Sequence, residues 1–291
     1  SRGGAEGHRW APMMAPAIAT AAIRQSLGDA ARLTASLTGK KRDQIDLSSR
    51  SFTQAIGEGF VLLFQRLERK VRRLDTLEAI DVGVGKGWSS FILARHLRRV
   101  RAYDLEYTVS EQLGLDQQHK WQKPFWDHYA AIAPNLSYRF FDGARLDVPD
   151  AAADLVVAEQ VIEHVGNDAL ENDRRVEWLK EIRRILKPGG VFYLSEAPNA
   201  RSYSEALGQA LGLGAHKKRF SRREIVGLMQ DGGFRIESLQ YTHPYPDFYP
   251  GLLLPAWNRA YEWCFQWIEK PLLATPLKYV SHHFRIVAVR N

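Results

Sequence analysis

The stretch from Leu77 to Leu105 constrains the fold more than any other part of the chain. It runs LEAIDV, three glycines at alternate positions (Gly83, Gly85, Gly87), a helical stretch over Ser89–Leu97, and a second apolar run, VRAYDL. A helix between two short apolar runs returns the second strand parallel to the first. The same alternation continues downstream. LSYRFF (Leu136–Phe141), DLVVA (Asp154–Ala158) and VFYLS (Val191–Ser195) read as further strands. A surface helix over Glu171–Leu186, with its buried stripe at Val176, Leu179, Ile182, Ile185 and Leu186, is stopped by KPGG. Ser221 caps another helix that ends at Gly232-Gly233. FRIESLQ and HFRIVAV supply two last strands, the final one returning as an antiparallel edge partner. The expected fold is α/β, a doubly wound sheet with helices on both faces.

Ahead of this unit, Ile23, Leu27, Ala30, Thr34 and Leu37 mark a helix within residues 18–38. Phe52, Ile56, Phe60, Phe64 and Leu67 mark a better one over Ser51–Leu74. SRGGAEGHRWAPMMAP reads as a flexible leader, so residues 1–75 are expected to form a leader and helical cover and 76–291 the main domain. No run is apolar enough for a membrane span. The single cysteine, Cys264, excludes an internal disulfide framework and a cysteine-based zinc cluster and fits a cytoplasmic, reducing compartment. The net charge of +7 points weakly to anionic partners, with basic clusters at RLERKVRR, RHLRRVR and KKRFSRR that otherwise read as solvated helix faces.

A glycine turn leading into a helix offers bare backbone amides to an anion, either a pyrophosphate or an amino-acid carboxylate. A dinucleotide fingerprint wants a glycine where Trp88 stands, which favours the carboxylate. Asp81 could then accept from a ligand ammonium, or simply organise the loop. Asp104 at the end of the second strand could hold a ribose diol, with Leu105 against an adenine face. Asp142, Gly143 and Ala144 offer an acid and backbone for the adenine edge, or a plain turn.

Through these residues the chain resembles the class I S-adenosylmethionine-dependent methyltransferases, especially the branch of quinone, sterol and other small-molecule enzymes. AIDVGVGKG resembles the first cofactor motif, AYDL carries the strand-two acid, FDGA the adenine side, and DLVVAEQVIEHV and LKEIRRILKPGGVFYLSEAPN the segments around strands four and five. The resemblance implies S-adenosylmethionine as cofactor, held by Asp81, Gly83, Gly85, Gly87, Asp104, Leu105, Asp142, Gly143 and Ala144, with Glu159 and Gln160 beneath the reactive end. It also implies a seven-stranded sheet of order 3-2-1-4-5-7-6 with strand seven antiparallel.

Methyl transfer needs in-line alignment and exclusion of water, and an oxygen acceptor benefits from a base. His164 and His243 are the candidate bases; Glu163, His216, Tyr241, Glu196 and Asn199 sit at or near the same edge. No compact acid–histidine signature predicts a metal, and the adjacent His282 and His283 are expected to point in different directions. The aromatic-rich insertion, residues 241–280 with a helix over Ala256–Lys270, could pack on the core, join a homodimer, cap an amphipathic substrate, or touch a membrane peripherally. The expected function is methylation of an amphipathic small molecule, at oxygen; an RNA methyltransferase and a cofactor-binding regulator without turnover are the alternatives.

Overall fold

In strand β1 (Glu78–Val82) Ala79 and Ile80 are both fully buried although neighbouring strand residues point to opposite faces, so this strand requires cover on both sides. The computed structural model, which describes residues 48–71, 73–105, 122–166, 171–210, 216–244 and 269–291, provides that cover. The strands are β1, β2 (Arg99–Leu105), β3 (Leu136–Phe141), β4 (Ala153–Glu159), β5 (Leu186–Pro198), β6 (Phe234–Thr242) and β7 (His283–Arg290). They form one seven-stranded sheet of order β3-β2-β1-β4-β5-β7-β6. β1 to β5 pair in parallel, and β7 runs antiparallel between β5 and β6. The edge thus belongs to β6; the last strand lies inside, where its continuous burial suits it.

The helices are α1 (Ser48–Glu68), α2 (Trp88–Ala94), α3 (Gln122–Ile132), α4 (Asn172–Ile185), α5 (Tyr203–Ala210), α6 (Arg222–Asp231) and the short α7 (Glu269–Leu273). On one face Ala79, Ala102, Val157 and Tyr193 meet α1 through Phe60, Leu63, Phe64 and Leu67, and α2 and α3 through Phe91, Phe125 and Tyr129. On the other Ile80, Val156, Phe192 and Leu194 meet α4 and α6 through Leu179, Ile182, Ile185, Ile225 and Met229. Arg66 of α1 donates to Glu237 of β6 at 2.6 Å, and Lys70 reaches the same carboxylate at 3.2 Å.

Three boundaries move. The second helix ends at Glu68 rather than Leu74, because the chain turns extended at Arg73 before a 3-10 turn over Leu74–Thr76. The helix after the glycine turn ends at Ala94 rather than Leu97. KPGG does not precede the fifth strand but lies within it, as an irregularity where the register against β4 shifts between Ala153 and Leu155 and Gly189 takes φ 74°. The expected helix within 18–38 and residues 256–268 of the one over Ala256–Lys270 lie outside the described residues, while Glu269 and Lys270 open the short α7. Among the described residues no helix is long and apolar enough to cross a membrane.

Candidate active site

The β1–α2 turn is built from backbone that only glycine adopts easily. Gly83, Gly85 and Gly87 take φ of 74°, 50° and 82°. A Cβ on Gly83 would overlap Val161, and one on Gly87 would meet Tyr138 Oη at 2.6 Å. A Cβ on Gly85 would meet no atom within 4 Å, so the middle of the turn borders open space. The turn is anchored from below. Trp126 Nε1 donates to the Gly85 carbonyl at 3.0 Å, Tyr138 Oη donates to the Gly87 carbonyl at 3.0 Å, and the two rings stack at 5.0 Å. Tyr138 therefore cannot swing aside for a side chain at Gly87. Gly87→Ala is expected to cost about 3 kcal/mol of stability, and Gly85→Ala only about 1 kcal/mol. Urea unfolding of both variants checks the order; equal costs would contradict this account of the turn.

Three acids converge on the carboxyl edge of the sheet. Asp81 is buried, and its Oδ2 accepts from Ser89 Oγ at 2.6 Å and Ser90 Oγ at 2.7 Å. Burial raises its pKa to about 7 against the pull of those hydroxyls, with the Asp104 charge adding to the rise. Asp104 accepts from the Gly85 amide at 2.6 Å and Gln122 Nε2 at 3.0 Å through Oδ2, and from the Leu105 amide through Oδ1. Glu159, ending β4, has its pKa raised well above normal by burial, then by Asp81 and Glu196, with Arg285 opposing. Gln160 follows it at φ 51°.

Asp142 is exposed, and its Oδ1 accepts from the Ala144 amide at 2.9 Å, which makes it the organiser of its own turn. That backbone bond, with a longer one from Arg145, lowers its pKa. A Cβ on Gly143 would touch Leu105 Cδ2 at 3.0 Å, so the structure brings the two expected adenine-side positions together. His164 stands in a 3-10 turn (Ile162–His164) with its side chain 45% exposed, 3.9 Å from Glu163, whose own pKa burial raises to about 7.

A second polar cluster lies across the ends of β5, β6 and β7. Glu196 is fully buried at φ 59°, and its carboxylate receives Arg285 Nη2 at 3.0 Å and Thr242 Oγ1 at 3.1 Å. His243 Nε2 lies 3.1 Å and His283 Nδ1 3.2 Å from its Oε2. Burial alone would raise the Glu196 carboxyl; His243, His283 and Arg285 outweigh it and hold it well below the carboxylate range. His243, just past the end of β6, is 1% exposed and takes φ 56°. Beside this group Glu205 Oε1 is shared by His216 Nδ1 and His282 Nε2, each at 2.6 Å. His282 and His283 do not diverge as strand alternation would demand. Their rings stack at 3.8 Å, because β7 begins only at His283 and its alternation does not extend back to His282.

Sequence reasoning missed Gln122, Trp126 and Tyr138 as supports of the glycine turn, and Arg285 and Glu205 as partners of the histidines. The aromatic run LSYRFF carried the only local hint, for Tyr138.

A family model for a methyltransferase domain matches residues 80–194, the segment that carries this turn and β4. Over that segment the chain is similar to methyltransferase domains, and S-adenosylmethionine is the cofactor that this similarity and the fold support. Among curated relatives, a "probable S-adenosylmethionine-dependent methyltransferase" of Mycolicibacterium smegmatis is 31% identical over 177 residues, 60% of this chain and 58% of that protein. A Mycobacterium tuberculosis protein of the same description is 27% identical, over 60% of this chain and 53% of its own. The chain thus spans little more than half the length of these relatives. Of solved structures, magnesium protoporphyrin IX methyltransferase from Synechocystis shares the fold with TM-score 0.54 at 15% identity, covering 85% of this chain and 89% of its own. Geranyl diphosphate C-methyltransferase from Streptomyces coelicolor does so with TM-score 0.51 at 18% identity, covering 79% and 76%.

Proposed function

We propose that the chain transfers the methyl group of S-adenosylmethionine to an oxygen of an amphipathic small molecule, within the branch that includes quinone and sterol methyltransferases. The observation that carries the reading is the left-handed glycine turn fastened by its Gly85 amide to Asp104, with open space at its centre. The cofactor supplies an activated methyl on a sulfonium. The turn amides and the start of α2 would receive its carboxylate, and Asp81 its ammonium. Asp104 would accept from the ribose hydroxyls, taking them in place of the Gln122 amide. Leu105, Asp142, Gly143 and Ala144 would border the adenine, and Glu159 and Gln160 the reactive end. His164, the more exposed of the two candidate bases, is the one an acceptor would reach, although burial and then the His216 charge lower its pKa to about 4 and leave it a weak base. The burial of His243 makes it a positioning group.

An amphipathic acceptor is supported by a cavity of about 740 Å³ beyond β5, lined by Asn199, Arg201, Ser221, Arg222, Tyr241 and Tyr279. It joins aromatic faces to three guanidinium groups, those of Arg201, Arg222 and Arg223. Arg66 and Lys70 are paired with Glu237, and Lys218 with Glu224, which weakens the case for a nucleic-acid face. Calorimetry with S-adenosylhomocysteine, then transfer of labelled methyl to fractionated lipid and metabolite pools, tests the reading. Absence of cofactor binding by the folded chain would overturn it, and label incorporated only into RNA would replace the acceptor class.

The pKa of Asp81 adds a pH signature. An acid raised in the folded state contributes stability below its unfolded pKa of about 4 and loses it as pH rises toward 7. A bound ammonium reverses the preference, favouring ionised Asp81, so cofactor binding should release a proton. Affinity for S-adenosylhomocysteine is expected to rise between about pH 6 and pH 8. Calorimetry in buffers of different ionisation heat reads this directly, and Asp81→Asn should flatten the profile. A flat wild-type profile would remove Asp81 from the ammonium site.

A further inference from the structure

The Glu205 cluster holds more imidazole than a proton network needs. His216, His282 and His283 each offer a ring nitrogen, and these three atoms lie within 4.8 Å of one another. They come from three places in the chain: the segment before α6, the residue preceding β7, and the first residue of β7. Two of the rings share one oxygen of Glu205. The third, His283, is 1% exposed, sits with Nδ1 against Glu196, and has no hydrogen-bond partner at Nε2 among the described residues.

Three imidazole nitrogens this close together are able to hold one metal ion. A ligating histidine ordinarily gives its other ring nitrogen to a carboxylate, which fixes tautomer and orientation. Here His216 and His282 each have such a carboxylate in Glu205, and His283 Nδ1 lies 3.2 Å from Glu196 without completing a hydrogen bond to it. Charge points the same way. Glu196 is compensated by Arg285, whereas Glu205, 5% exposed, has only histidines as ion-pair partners among the described residues. A dication beside Glu205 would complete the balance. The neighbouring group of Glu196, His243 and His283 is the poorer site, because the Arg285 guanidinium already occupies its carboxylate.

We propose that His216, His282 and His283, the first two oriented by Glu205, bind one divalent first-row transition-metal cation of the zinc type. Three imidazoles suit such an ion and leave a coordination position for an oxygen ligand. His216, with 25% of its side chain exposed, gives access from solvent. The site lies at the same strand ends as the proposed acceptor cavity. The assignment therefore deepens the methyltransferase reading, on which its acceptor role rests: the acceptor would carry an oxygen able to ligate the ion. Metal binding itself does not depend on that reading.

The test uses the full chain, stripped with a chelator and checked for native circular dichroism, then titrated with Co2+ and with Zn2+. One equivalent of each is expected, Zn2+ displacing Co2+, with the visible absorption of imidazole-bound cobalt. His216→Ala should weaken Co2+ binding about tenfold or more, and Glu205→Gln should weaken it while leaving the three imidazoles in place. His128→Ala, on the exposed side of α3, should change nothing. Native chain that binds no Co2+, or a His216→Ala variant that binds it as wild type does, overturns the proposal. S-adenosylhomocysteine binding measured on the same samples separates the outcomes: cofactor bound without metal sinks only the metal site, and metal bound without cofactor sinks only the transferase reading.

Discussion

Asp104→Ala is expected to lower affinity for S-adenosylhomocysteine by about two to four orders of magnitude. Two charge-assisted hydrogen bonds to a ribose diol are each worth about 1.5–3 kcal/mol, and every 1.4 kcal/mol is about tenfold. The loss has a second source in this chain. The same carboxylate holds the Gly85 amide at 2.6 Å, so its removal also loosens the turn that would carry the amino-acid end of the ligand. Gln122→Ala separates the two sources, since it takes away only the competing amide and leaves Asp104 on Gly85. Its affinity should stay within a few-fold of wild type. Calorimetry with a melting curve for each variant is the measurement, and a natively melting Asp104→Ala that binds normally would remove the ribose from this residue.

The largest loss of stability is expected from Arg285→Met, about 3–5 kcal/mol, because it leaves the Glu196 carboxylate charged, fully buried and without its cation. β7 lies inside the sheet between β5 and β6, so the damage cannot be confined to a fraying edge. The double replacement Glu196→Leu with Arg285→Met should cost less than Arg285→Met alone, since it removes the charge that was left exposed to the apolar interior. By contrast, breaking the Lys123–Asp127 pair, whose side chains are 73% and 66% exposed, should cost no more than about 0.5 kcal/mol. Denaturant unfolding ranks the three; a mild Arg285→Met would mean that Glu196 is protonated or solvated in the folded chain.

The sheet was legible because parallel strands buried on both faces write themselves as short apolar runs, and LEAIDV, DLVVA and VFYLS are such runs. The strand order was legible only through resemblance, since nothing local in HFRIVAV says that it inserts beside β5. The glycine turn was legible from spacing, but its supports were not. Trp126 and Tyr138 act through ring stacking and bonds to carbonyls, contacts that leave no motif. The histidine cluster was hidden for a geometric reason. Its members stand at positions 196, 205, 216, 243, 282 and 283, and only the convergence of β5, β6 and β7 makes them neighbours. Expecting His282 and His283 to diverge applied strand alternation one residue beyond the strand.

Gln160, Glu196 and His243 are non-glycine residues in left-handed backbone, near the ends of β4, β5 and β6. Each such residue costs of order 1–3 kcal/mol, and all three sit on one rim of the molecule. The sheet is thus tense along the rim proposed to face its ligands, while on the opposite rim only Ala151, at φ 52° just before β4, is such a residue among those described. Glycine at these three positions would ease the backbone but delete the side chains that the twist aims inward, so a more heat-resistant version of this chain must find its gains on the opposite rim.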